Sequence, residues 1–154
     1  MSDTPRSRLA ALGIALPEAA APVAAYVPAV LAGNLLHISG QVSFEEGKLL
    51  TGRLRDDRDV AFGIRAARAC GLMLLAQIEK AVGLDRVERI VKLGVFVNSA
   101  GGFTDQPKVA NGASELMQDV FGEAGRHARS AVGVPVLPLG AAVEIDAVVQ
   151  IKAL

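Results

Sequence analysis

Between Val60 and Ala81 the apolar or small residues Val60, Ile64, Ala67, Gly71, Leu74, Ile78 and Ala81 recur in steps of three and four. That is the spacing of one face of an α-helix. Asp56 to Asp59 place acid at its N-terminus, where the helix dipole favours it, and Gly83 is a natural terminator. Arg58, Arg65, Arg68, Gln77 and Lys80 fall on the other side, which predicts a solvent face. A second helix opens at Pro107, with Val109, Leu116, Met117, Val120 and Phe121 on its apolar side, and ends at Gly122 and Gly125. Thr4-Pro5 opens a short helix, Pro5 to Leu12, that stops at Gly13.

The remaining apolar runs are too short or too continuous for helices. Gly33-Asn34 between two of them predicts a β-hairpin, with strands Ala25 to Ala32 and Leu35 to Val42. Glu45, Glu46 and Gly47 turn the chain into a short strand, Lys48 to Leu50. Asp85 to Ile90 reads as a turn or short helix, Val91 to Asn98 as a long buried strand, and Ser99 to Pro107 as a Gly-rich loop. Ala128 to Leu137 and Ala142 to Ala153 read as two strands joined around Pro138-Leu139-Gly140. Pro22 and Pro28 keep Leu16 to Pro28 extended. This order predicts one α+β domain over residues 1–154, with two helices on one face of a mixed sheet and residues 1–20 as an N-terminal extension.

Composition narrows the class. Apolar residues are 51% of the 154 but aromatics only 4%, so the core must be aliphatic. Such apolar content in a small chain hints that part of it faces another copy. Sixteen basic residues balance sixteen acidic ones, which leaves no electrostatic footprint for nucleic acid or anionic lipid. Cys70 alone allows neither an internal disulfide nor a cysteine metal cluster, in keeping with a reducing, cytoplasmic setting. No run reaches the roughly 18 uninterrupted apolar residues of a membrane span, and the N-terminus lacks the apolar stretch of a signal peptide.

Two charged positions stand out. Arg129 interrupts an apolar strand, and a planar guanidinium there suits bidentate binding of a carboxylate; the plain alternative is a strand-end residue in water. Glu144 shares a strand face with Asp146 in Val-Glu-Ile-Asp-Ala-Val. An acid near Arg129 could orient or deprotonate a water, and the plain alternative is two solvated carboxylates. His37 and His127 have no metal-ligand spacing. Tyr26 is either buried or a substrate contact, Cys70 reads as core, and Ser39-Gly40-Gln41 ends a strand where a ligand could approach the backbone.

Together these pieces resemble one family. Ala21-Pro-x-x-x-Tyr26, Gly33-Asn34-Leu35, Ile38-Ser39-Gly40-Gln41, Val91-Lys92 to Val97, Ala128-Arg129-Ser130, Leu137-Pro138 and Val143-Glu144-Ile145 look, in order and spacing, like the YjgF/Rid family, often labelled endoribonuclease L-PSP. The match runs from about Ala21 to the end and resembles a longer branch of the family. The resemblance implies a chorismate-mutase-like fold and a homotrimer of barrel type with clefts between subunits. It also implies hydrolysis of 2-aminoacrylate and related enamine or imine acids to 2-keto acids and ammonia, without cofactor or metal. Arg129 would hold the substrate carboxylate and Glu144 would help place the water. Tyr26, Ser39, Gly40, Ser114 and Ala131 would line the cleft.

The chain departs from the family pattern at three places. Ala131 stands where a cysteine is usual, Ala25 where a proline precedes the tyrosine, and Ser114, with Asn111 nearby, where the second helix carries asparagine. A non-catalytic trimer that binds small keto or amino acids is the main alternative. A ribonuclease would need basic and aromatic groups that this chain is short of.

Overall fold

Small residues decide how the two main helices meet. In the computed structural model, which describes residues 3–22 and 24–153, α2 (Val60–Ala81) packs along α3 (Gln106–Phe121). Gly63 of α2 faces Leu54 and Val109, and Gly71 faces Leu116 and Ala113. Gly112 of α3 lies so close to the Ile64 carbonyl that a Cβ there would overlap it. The helices thus approach nearly backbone to backbone, so an aliphatic core almost without aromatics can fill the space.

The helices cover one face of a five-stranded sheet. β1 (Ala29–Ala32) and β2 (Leu35–Val42) form the predicted hairpin, with Gly33 at positive φ in the turn. β5 (Val87–Asn98), β6 (Ala128–Val134) and β7 (Val143–Ile151) complete the order β1-β2-β7-β5-β6. The β5–β6 pair is parallel and the others antiparallel. Along β7, Val143, Ile145, Ala147, Val149 and Ile151 are buried in the core, while Glu144, Asp146, Val148 and Gln150 are half-buried on the other face.

Several expectations change. The short helix α1 is Pro5–Ala11, closed at its start by a Thr4–Ser7 capping box. The first strand begins at Ala29, after Pro28, and not at Ala25. β3 (Phe44–Glu45) and β4 (Lys48–Leu49) form their own small hairpin outside the main sheet. Only Leu84–Arg86 form a turn, and β5 starts at Val87, because Val87, Ile90 and Leu93 all reach the core. Gln77 is buried, not solvated: its amide donates to Ala20 O (2.8 Å) and Gln41 Oε1 (3.2 Å), tying the N-terminal segment to the sheet.

The last two strands are not partners. β6 pairs with β5 in parallel, and β5 separates it from β7. An apolar run reads the same whichever neighbour it takes, so local pattern suggested a hairpin where topology makes a crossover.

Candidate functional site

Arg129 is the second residue of β6, level with Leu93, whose side chain is fully buried under the helices. Its side chain therefore points toward α3, where Asn111 and Ser114, three residues apart, share a face. Arg129 Nη1 donates to Asn111 Oδ1 at 2.9 Å and to Ser114 Oγ at 3.1 Å, and Nη2 donates to Pro107 O at 3.2 Å. Three of the five guanidinium N–H groups are thereby used. Among the described residues Nε–H and one Nη2–H have no partner, and Nε and Nη2 form an edge of the guanidinium that can grip a carboxylate with two parallel bonds. Both helix candidates touch the guanidinium. Ala131 follows two residues on, level with Val95 and half-buried against the core.

The neighbouring ring belongs to the same network. His127 Nδ1 lies 2.6 Å from Gly125 O, and its Nε2 lies 2.8 Å from Ser114 Oγ. Burial lowers its pKa; the Gly125 hydrogen bond opposes this and the Arg129 charge adds to it.

The second set of candidates gathers around a β-bulge. Between Ile38 and Gln41 the β2–β7 register slips: Ile38 pairs with Ala147 but Gln41 with Ile145, so β2 carries one extra residue at Ser39-Gly40. The slip turns Gln41 inward and brings Gly40 against Glu144; a Cβ at residue 40 would sit 2.5 Å from Glu144 Oε2. Tyr26, Gly40 and Glu144 line a pocket of about 350 Å³, whose other walls include Phe44, Met73 and Leu139. Ser39 does not line it. Its hydroxyl donates to Val27 O at 2.8 Å and its N–H to Pro28 O at 2.9 Å, so Ser39 anchors the segment that carries Tyr26. Burial raises the Glu144 pKa, and the like charge of Asp146 raises it further.

These two sets do not meet within one chain. Arg129 is on the helix side of the sheet; Glu144, level with Phe96, is on the other face. With β5 between their strands and three residues of offset along it, their backbones lie roughly 14 Å apart. The proximity expected from adjacent strands is therefore corrected, because it rested on a β6–β7 pairing that the sheet does not contain. Among the described residues, no group of three His, Cys, Asp or Glu could hold a metal ion.

The sequence left open whether Ser114 or Asn111 takes the place of the helix asparagine, and it assigned no role to His127. The signal was available only in part: His127 is two residues before Arg129 and so on the same side of an extended chain. That α3 would bring its Asn111–Ser114 turn to both of them is a tertiary fact.

A family model described as "YjgF/chorismate mutase-like, putative endoribonuclease" matches residues 6–150. Protein TCP17 of Trypanosoma cruzi is 53% identical, with 99% of each chain covered. A 2-iminobutanoate/2-iminopropanoate deaminase of Dermatophagoides farinae is 31% identical over 90% of this chain and 95% of its own. A crystal structure of an Agrobacterium tumefaciens protein of unknown function is 46% identical, covers 97% of this chain and 95% of its own, and superposes with a TM-score of 0.87.

Proposed function

The chain belongs to the YjgF/Rid family, and from that premise we propose that it is an imine deaminase, hydrolysing 2-aminoacrylate-like enamine and imine acids to 2-keto acids and ammonia in the cytoplasm. The observation that carries this reading is the guanidinium of Arg129, held by Asn111, Ser114 and Pro107 with Nε–H and one Nη2–H unused among the described residues. A small carboxylate fits that fork. The balanced charge of the whole chain favours a small anion over nucleic acid.

The chemistry asks little of the protein. The enamine tautomerises to an imine, whose carbon is already electrophilic. Water adds to that carbon, the carbinolamine collapses, and the C–N bond breaks to give ketone and ammonia. Arg129 holds the carboxylate and orients the imine. Glu144, with its raised pKa, accepts a proton from the attacking water and returns one to the departing nitrogen. No step calls on a metal or cofactor.

We assign the reaction to a homotrimer in which the Glu144 side of one copy faces the Arg129 side of the next. Two observations support this. The two groups lie on opposite faces of one sheet, so a three-carbon substrate cannot touch both in a single chain. Exposed apolar residues support an interface: Tyr26, Val27 and Leu139 near the pocket, and Val132 on the Glu144 face of β6, the strand that carries Arg129. The test is pyruvate and ammonia release from freshly generated 2-aminoacrylate, beside sedimentation of the same sample. Acceleration by a trimer is expected. A stable monomer would remove the shared cleft, and a trimer that binds pyruvate without accelerating hydrolysis would favour a carboxylate-binding protein.

A further inference from the structure

The atoms around Ser114 admit one arrangement of protons. Gly125 O can only accept, so at 2.6 Å the His127 Nδ1 carries a hydrogen. In the neutral ring Nε2 is then bare and accepts the Ser114 hydroxyl proton at 2.8 Å. Arg129 Nη1 can only donate, so Ser114 Oγ accepts from it at 3.1 Å. The three bonds form a directed chain: Arg129 N–H to Ser114 Oγ, Ser114 O–H to His127 Nε2, His127 Nδ1–H to the backbone of the turn before β6.

We propose that His127 is a positioning residue, which through Ser114 fixes the Arg129 guanidinium and makes its grip on a substrate carboxylate depend on the neutral, Nδ1-protonated ring. This rests on the reading of Arg129 as the carboxylate clamp. A protonated ring would point Nε2–H at an oxygen that already accepts from a cation. Ser114 would have to turn its own proton away, and two positive groups would share one acceptor. Their like charge would push the guanidinium away from Ser114 Oγ and weaken one of the two bonds that hold Nη1. The charged groups of the surrounding elements are Arg129 itself, the exposed Glu123–Arg126 pair of the preceding turn, Glu88, Arg89 and Lys92 of β5, of which Arg89 donates to Arg126 O and Lys92 is level with Ala128, and the exposed Lys108, Glu115 and Asp119 of α3. From α3, the group that meets the ring is the neutral Ser114. Burial disfavours the charged ring, so the clamp is intact at neutral pH and weakens only on acidification below the ordinary histidine range.

The experiment is equilibrium titration of the assembled protein with pyruvate between pH 5.5 and 8. Wild-type affinity should fall at the acid end. His127→Leu should weaken binding about tenfold at pH 7.5 and remove the acid loss. His127→Gln offers a non-titrating acceptor near the place of Nε2, and should recover most of that affinity with a flat profile. In a Ser114→Ala background, His127→Leu should add less than a twofold effect, because the chain is already cut. If Arg129→Ala loses pyruvate but His127→Leu matches wild type at every pH, the clamp stands and the positioning role is overturned. If Arg129→Ala binds like wild type, the clamp falls and this proposal with it. Nitrogen NMR of the wild-type ring needs no variant: an Nε2–H tautomer, or titration above the ordinary histidine value, would also overturn it.

Discussion

Arg129 is met by three oxygen acceptors from α3, whereas Glu144 lies against Gly40 in a pocket with mostly apolar walls. The first region is assembled from side chains that order one another. The second is made by a backbone irregularity, the bulge at Ser39-Gly40, with almost no polar support for its carboxylate. The difference suits two tasks. A clamp works by holding one geometry, and three hydrogen bonds to one helix supply that. A proton carrier works by having nearly balanced charged and neutral forms, and partial burial beside Asp146 supplies that.

Breaking each region should therefore damage different kinetic constants. Arg129→Ala removes a charge-assisted fork, and kcat/KM for 2-aminoacrylate-type substrates should fall on the order of 10³-fold, with pyruvate binding lost alongside. Glu144→Gln keeps the pocket's shape but cannot carry a proton. Its kcat should fall on the order of 10²-fold while pyruvate affinity stays within a few-fold. Steady-state kinetics with a parallel pyruvate titration reads both. Equal loss of binding in the two variants would erase the division of labour.

The sequence made much of this legible, and it is clear where it stopped. The period of α2, the Gly33-Asn34 hairpin and the aliphatic core follow from local rules that hold whatever the neighbours. The family motifs singled out Arg129 and Glu144. What failed was the relation between them. The pairing of β6 with β5 depends on a crossover through α3, and apolar strands carry no label for their partners. Gln77 was misplaced for a related reason: helical spacing put it opposite the apolar stripe, but the N-terminal segment covers that side and supplies Ala20 O as an acceptor. The His127–Ser114–Arg129 chain joins an edge strand to a helix, and no single element's pattern contains it.

Glycines sharpen the same contrast through stability. Gly112 sits between Asn111 and Ser114 and presses on the Ile64 carbonyl of α2. Gly112→Ala forces backbone apart, so a loss of about 1–3 kcal/mol is expected, with weakened pyruvate binding because α3 carries all three of the Arg129 acceptors. Gly40→Ala meets the Glu144 side chain from Cγ outward, which can swing away, and no backbone among its three nearest atoms. Its cost should stay under about 1 kcal/mol, and its effect should appear in kcat. Denaturant unfolding of both variants separates the cases.

The smallest expected effect asks what Glu144 faces when no substrate is bound. Its carboxyl is held above the ordinary value first by burial and then by Asp146. An unfolded chain releases that proton in the ordinary carboxylate range. Between the unfolded value and the raised folded one, the native protein binds more protons, so stability falls as pH rises through that window. Glu144→Gln has no charge to bury. It should melt slightly above wild type at pH 8, by about 1–2 °C for a domain of this size, and the gain should vanish at pH 4. Asp146→Asn should gain less, because the Gly94 backbone hydrogen bond and Lys92 pull the Asp146 pKa back down. Scanning calorimetry at the two pH values reads the sign. A Glu144→Gln protein that melts below wild type at pH 8 would mean that the carboxylate has a cationic partner in the assembly. In the proposed trimer that partner is the Arg129 of another copy, and the two regions would then be in contact before substrate arrives.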